Sequence, residues 1–236
     1  MNFTVIGLWS EMGIVARAVV IVLLAMSTYS LAIAVERLLA FRRARVSSAA
    51  AARLLDTVIV DGARLESAVG IDQKHPHSPL ARVAGGAVSE FSKGIGPASG
   101  PGGSDYDIVD AVVRAMERIR ERELANMRRG LPLLATVSSS APFVGLFGTV
   151  GGIITAFQKL GDPSKGGGGI GTVSAGIAEA LVTTAVGLGV AILAVWFFNF
   201  FNARIEQITV DMDETASELV DVVIKDGRSK RGTSTP

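Results

Sequence analysis

Three stretches of this chain carry almost no charge, and each is long enough to cross a lipid bilayer. Ile14 to Val35 contains one charged residue, Arg17; Leu131 to Phe157 contains none; Ile170 to Ala203 contains one, Glu179. A hydrocarbon core about 30 Å thick takes roughly 20 apolar residues in a helix. Lipid offers the backbone no hydrogen-bond partners, so the stretches predict helices rather than loops or an open sheet.

The cations around these stretches set an orientation. Arg37, Arg42, Arg43 and Arg45 follow the first, and Arg118, Arg120, Arg122, Arg128 and Arg129 precede the second. Only Lys159 and Lys165 separate the second from the third, and residues 1–13 hold no Lys or Arg. Basic loops stay on the cytoplasmic side, which predicts an outside N-terminus and an inside C-terminus. An N-terminus without basic residues also argues against a cleaved signal peptide. The expected layout is a periplasmic N-terminus (1–13), transmembrane helices at 14–35, 131–157 and 172–201, a cytoplasmic helical loop (36–130), a periplasmic loop (158–171) and a cytoplasmic C-terminal helix and tail (202–236). The fold class is an all-α membrane protein, three transmembrane helices extended into a cytoplasmic helical bundle, N-out/C-in.

The polar segments read as helices with breaks. Residues 36–93 are largely helical in pattern, interrupted at His75-Pro76-His77-Ser78-Pro79, and 94–103 form a flexible break. Ser104 or Asp105 can cap a further helix whose acids lie early and arginines late, which suits the helix dipole. Its apolar face is Ile108, Val112, Ala115 and Ile119, Asp110 and Arg114 form an i,i+4 pair, and it is expected to run into the second span with a bend at Pro132. Beyond the third span, Ile205, Ile208, Met212, Leu219 and Val223 form a stripe on an otherwise acidic helix, and the residues from Gly227 onward read as a disordered tail.

Several functions are excluded by what is missing. The chain has no cysteine, so disulfides, thiol chemistry and Cys-ligated zinc are out. The two histidines flank a proline with no further ligand nearby, a poor metal site. The run Gly166–Gly169 lacks the Lys-Ser/Thr of a phosphate loop and reads as a hairpin between spans. No nucleophile–base pair or nucleotide loop is visible, so an enzyme is the weakest reading.

The chemistry that remains lies in the second and third spans. Gly145, Gly148 and Gly152 on the second, and Gly176 and Gly187 on the third, are small residues at helical spacing that admit a close neighbour. Pro142 removes a backbone donor and should bend its helix. Counted from Leu133 and from Phe200, Thr149 and Thr184 each lie 16 residues inward, about 24 Å at 1.5 Å per residue, so their hydroxyls are expected at one depth. Thr183 lies beside Thr184, and Glu179 about a turn and a half further out. A carboxylate at mid-span costs at least ~2.5 kcal/mol, so Glu179 should face protein or water and mark an ion pathway. The alternative is a carboxyl that pairs with a backbone group or the Arg17 region and locks helices together. For the threonines the alternative is a bond back to their own helix.

At these two spans the sequence resembles the MotA/TolQ/ExbB proton-channel family. Residues 141–153, APFVGLFGTVGGI, resemble its second-span signature, and residues 175–192, AGIAEALVTTAVGLGVAI, its third-span signature. Glu36-Arg37 with Phe41 also match in character, while Gly151 (where Trp is common), Thr183 beside Thr184, and Pro132 depart from it. The resemblance implies a homopentameric ring in the bacterial inner membrane around a dimer of a single-span partner similar to ExbD, TolR or MotB. That partner would supply the ion-carrying aspartate these spans lack. It further implies that Thr149 and Thr184 line the ion path and that Glu179 is the family's third-span glutamate, with the proton as coupling ion, sodium the alternative, and no cofactor or nucleic acid involved. Thr183, beside Thr184, is counted with Thr149, Thr184 and Glu179 as an expected residue of the path. Such subunits are stators of motors driven by proton-motive force, coupling ion flow to work through a TonB/TolA-like protein or gliding machinery. A structural membrane scaffold and an autonomous ion channel are the competing classes; the second is weakened by the missing relay and the lack of internal repeats.

Overall fold

The computed structural model describes residues 12–59, 65–95, 105–161 and 169–232. All regular structure among them is helical. The elements are α1 (Ile14–Ile59), a 3₁₀ turn (Leu65–Ala68), α2 (Ile71–Lys74), α3 (Pro79–Ile95), α4 (Asp105–Arg128), α5 (Leu131–Gly161) and α6 (Ile170–Gly232). Three helical stretches, within Ile14–Ile59, Ile108–Gly161 and Val173–Asp226, are long and apolar enough to cross a membrane. The chain divides into two compact units, Met1–Glu36 with Gly130–Phe201, and Arg37–Arg129 with Asn202–Pro236.

In the first unit the core is built from α1, α5 and α6. Val19 and Leu23 pack with Val137, Ala141, Val190, Ala191 and Ala194, and Met26, Val144 and Val186 close around them. The opposite faces carry large exposed apolar side chains, among them Phe143, Phe147, Leu181, Ile192 and Trp196 at 75% exposure. An apolar surface of that extent needs lipid or other protein against it.

The second unit packs by amphipathic stripes. Val112, Ala115 and Met116 of α4 are buried, and Ile108 lies against Gly94 of α3. Ile205, Met212, Leu219 and Val223 of α6 are buried, with Ile208 half-buried, which is the stripe read from the sequence. Arg82 donates to Glu123 at 2.6 Å and to the Pro76 carbonyl, Arg120 pairs with Asp213, and Asp110 with Arg114. The break at 75–78 is a turn, with Ser78 N–H donating to His75 O and Ser78 Oγ capping α3 through Ala81 N–H.

Three expectations fare differently. The bend expected at Pro132 is replaced by a full break two residues earlier. Helix α4 ends at Arg128, Gly130 takes φ +85°, and α5 begins at Leu131. Glycine reaches that conformation without strain, and Pro132 then falls in a first turn, where a missing N–H costs nothing. At the C-terminus α6 runs to Gly232, past the tail expected from Gly227. The break at 94–103 begins after Ile95; residues 96–104, with the cap Ser104, lie outside the described residues, as do 1–11 and most of the glycine hairpin.

Candidate functional site: a hydroxyl cluster between two glycine-lined helices

Helices α5 and α6 approach along a face of small residues. A methyl group at Gly187 would come within 2.7 Å of the Ala141 carbonyl oxygen, and one at Gly145 within 2.9 Å of Thr183 O. The contact continues along the helices through Gly152 against Ala180 and Gly176 against Ala156. As α5 advances from 141 to 156 its partners fall from 187 to 176, so the helices are antiparallel. At Gly148 and Gly151 a Cβ would meet Val19 and Val15 of α1, at 3.0 and 2.5 Å. Backbones can come this close only where side chains are absent. All five glycines singled out for packing have such a close neighbour, and α5 continues as helix through Pro142.

That proximity brings the hydroxyls together. Thr149 and Thr184 are in direct hydroxyl-to-hydroxyl contact, both half-buried. Thr149 Oγ1 also lies 3.3 Å from Gly145 O of its own helix and 3.3 Å from Ala180 O of the facing one. Thr184 Oγ1 lies 3.2 Å from Gly145 O, again across the interface. Thr183 is wholly buried and donates to Ala180 O at 2.7 Å, with Gly145 O at 3.2 Å. The back-bonds expected as the alternative are therefore present for Thr149 and Thr183, together with bonds that cross between helices.

Each threonine hydroxyl has one proton to donate and can accept. The pair can run from Thr149 to Thr184 and end on Gly145 O, or from Thr184 to Thr149 and end on Ala180 O or Gly145 O. Both senses terminate on a carbonyl, so neither leaves an unsatisfied donor in an apolar surrounding. Such a pair can reverse its direction, which is what relaying a proton requires.

Glu179 stands apart from this cluster. Its carboxylate Oε1 accepts the backbone N–H of Gly13 at 2.6 Å, and among the described residues no threonine hydroxyl reaches it. A backbone amide cannot be singled out in a sequence, and nothing in the residue pattern points to Gly13. Gly151, too, enters the sequence reading only as a departure from the family pattern; it is where Val15 packs. His75 and His77 remain in a turn, and among the described residues no group of three or more His, Asp or Glu is placed to hold a metal ion.

The fold and this interface define a multi-pass helical membrane protein with a polar cluster inside its spans. The family model of the MotA/TolQ/ExbB proton channel family matches residues 79–214. The chain is 36% identical over 211 residues to the biopolymer transport protein ExbB of Xanthomonas campestris, covering 88% of this chain and 81% of the relative. It is 34% identical over 208 residues to the Tol-Pal system protein TolQ of Pseudomonas aeruginosa, covering 86% of each. Against ExbB of Neisseria gonorrhoeae it is 32% identical over 202 residues, 85% of this chain and 88% of the relative. The chain belongs to the MotA/TolQ/ExbB proton channel family, whose members serve transport and energy coupling. Relatives named ExbB and TolQ match it at similar identity and coverage, so similarity does not divide the two.

Proposed function

We propose that this chain is the channel-forming stator subunit of a motor driven by proton-motive force in the bacterial inner membrane. In this reading it is a homo-oligomer, a pentamer by family resemblance, around an ExbD/TolR-like single-span dimer, oriented N-out and C-in. Ion flow past Thr149 and Thr184 is coupled to motion of the partner, and a TonB/TolA-like or gliding protein carries the work outward. The proton is the coupling ion and no cofactor takes part. The observation that carries the reading is the contact of the Thr149 and Thr184 hydroxyls, with carbonyl acceptors at both ends, inside spans that carry almost no charge. One group such a path needs is not found among the described residues: an acid or base in contact with the hydroxyls. A partner bearing a membrane carboxylate would supply it.

The test is Thr149→Val combined with Thr184→Val, which keeps shape and removes both hydroxyls. In liposomes with a pH-sensitive dye, the wild-type chain alone is expected to pass no protons and the chain with its partner to pass them. The double variant should insert normally and reduce partner-dependent flux at least tenfold, the factor that about 1.4 kcal/mol of barrier represents. Normal flux from the double variant would make the hydroxyls packing groups. Flux from the lone wild-type chain would make it an autonomous channel.

A further inference from the structure

Glu179 is the only acid between Ile170 and Ala203, and the hydroxyl cluster does not use it. What it does hold is the beginning of another span. The Gly13 carbonyl accepts Arg17 N–H at 3.0 Å, which makes Gly13 the capping residue of α1. Its own N–H points away from the helix ladder and has no partner within it. In a capping box that donor is taken by a carboxylate three residues along the same helix. Here it is taken by a carboxylate of α6, 166 residues away in sequence. The pairing suits both groups, since an acidic side chain is a favourable neighbour for the free N–H groups at a helix N-terminus.

The same end of α1 is pressed against α5. Val15 and Val19 sit over Gly151 and Gly148, and Gly148 is also where the Thr183 hydroxyl packs. The outer turns of α1 are thus gripped by α6 through one hydrogen bond and by α5 through two glycines. Any displacement of α1 here moves Val19 relative to the residues behind Thr183.

We propose that the backbone amide of Gly13 is the positioning group for Glu179, and that Glu179 acts on the ion path by tying the first span to α6 rather than by contacting the ion. Glu179 is then a positioning residue for the Thr149–Thr184 pair, through α1 and Gly148. The functional half of this inference rests on the proposed proton path; the Gly13–Glu179 bond does not.

The two halves can be tested separately in the intact protein. With glycines selectively labelled with nitrogen-15, the Gly13 signal is identified by its loss in Gly13→Ala. A methyl there would sit 3.7 Å from Glu179 Oε1, an ordinary contact, so that variant keeps the bond. The Gly13 amide should exchange with deuterium about tenfold faster in Glu179→Ala, as expected for losing its hydrogen bond. In Glu179→Gln, which retains an acceptor oxygen, it should stay protected. Unchanged exchange in Glu179→Ala overturns the bond.

In partner-dependent flux, Gly13→Pro deletes the donor and displaces the Glu179 carboxyl from it while keeping that side chain, and should fall as far as Glu179→Ala, while Gly13→Ala and Glu179→Gln retain measurable flux. Full flux in Gly13→Pro, or a Glu179→Gln protein as inactive as Glu179→Ala with its Gly13 amide still protected, would overturn the positioning role and return the carboxylate to the path itself. Absence of flux in the wild-type complex would count against the proposed function, and the exchange measurement would still decide the bond.

Discussion

Helix α6 takes part in two kinds of packing that share almost no chemistry. In the first unit it meets α5 through Gly176, Ala180, Thr183 and Gly187, with backbone carbonyls and hydroxyls at the closest points. In the second unit it buries Ile205, Met212, Leu219 and Val223 and adds the Arg120–Asp213 pair. The difference follows from the solvent each segment is suited to. Between helices in lipid there is no hydrophobic drive, so association depends on close van der Waals approach and interhelical hydrogen bonds. In water, burying each large aliphatic side chain contributes roughly 1.5–3 kcal/mol, and ion pairs at the rim add little. A residue too small to matter in the second unit is therefore decisive in the first.

Substitutions can separate the two. The largest effect is expected from Gly187→Val, which forces side-chain atoms to within 2.7 Å of the Ala141 carbonyl oxygen. Overpacking of this kind costs ~3 kcal/mol, and with the backbone itself in the way little relaxation is possible. Melting of the purified protein in detergent should fall steeply, and an unchanged melting temperature would show that the helices do not meet there. Leu219→Ala should rank next, at ~3 kcal/mol or somewhat less, from a cavity where the side chain is fully buried. It should raise proteolysis around α4 and the end of α6 while leaving partner-dependent flux per assembled complex intact. The smallest effect is expected from Asp213→Asn. The Arg120–Asp213 groups are 30% and 47% exposed, so the loss should be ~0.5 kcal/mol and vanish in high salt. A salt-insensitive loss of several times that size would mean the pair is buried by a neighbouring subunit.

The comparison also explains what could be read from the sequence alone. An uncharged run of 20 residues has only one outcome in lipid, so the three spans were legible without any knowledge of packing. The stripe from Ile205 to Val223 was legible for the complementary reason, because water enforces a helical period on apolar residues. The glycine face was half legible. Gly145, Gly148, Gly152, Gly176 and Gly187 announce a close approach but do not say what approaches, and the partner atoms proved to be carbonyl oxygens, alanines and the threonines themselves. The equal count to Thr149 and Thr184 pointed to a shared level, and the structure puts the two hydroxyls in contact. The anchor of Glu179 was open between a backbone group and the Arg17 region, and nothing could have named Gly13, since every residue but proline carries an identical amide. The helix end at Gly130 was missed because proline is the louder signal, although Pro132 sits where a helix tolerates it and Gly130 takes the φ that stops one.

The Thr149–Thr184 pair has one further property. Its two hydrogen-bond senses are alternatives, and a proton handed along it leaves every O–H pointing the other way. Before a second proton can follow in the same direction, both hydroxyls must turn back, one to its partner hydroxyl and the other to the carbonyl on which that sense ends. On the proposed path the pair would work as a turnstile rather than a pipe: it would admit one charge, lock, and reopen only after resetting. Traffic through it would be counted in single steps, whatever the size of the gradient pushing from outside.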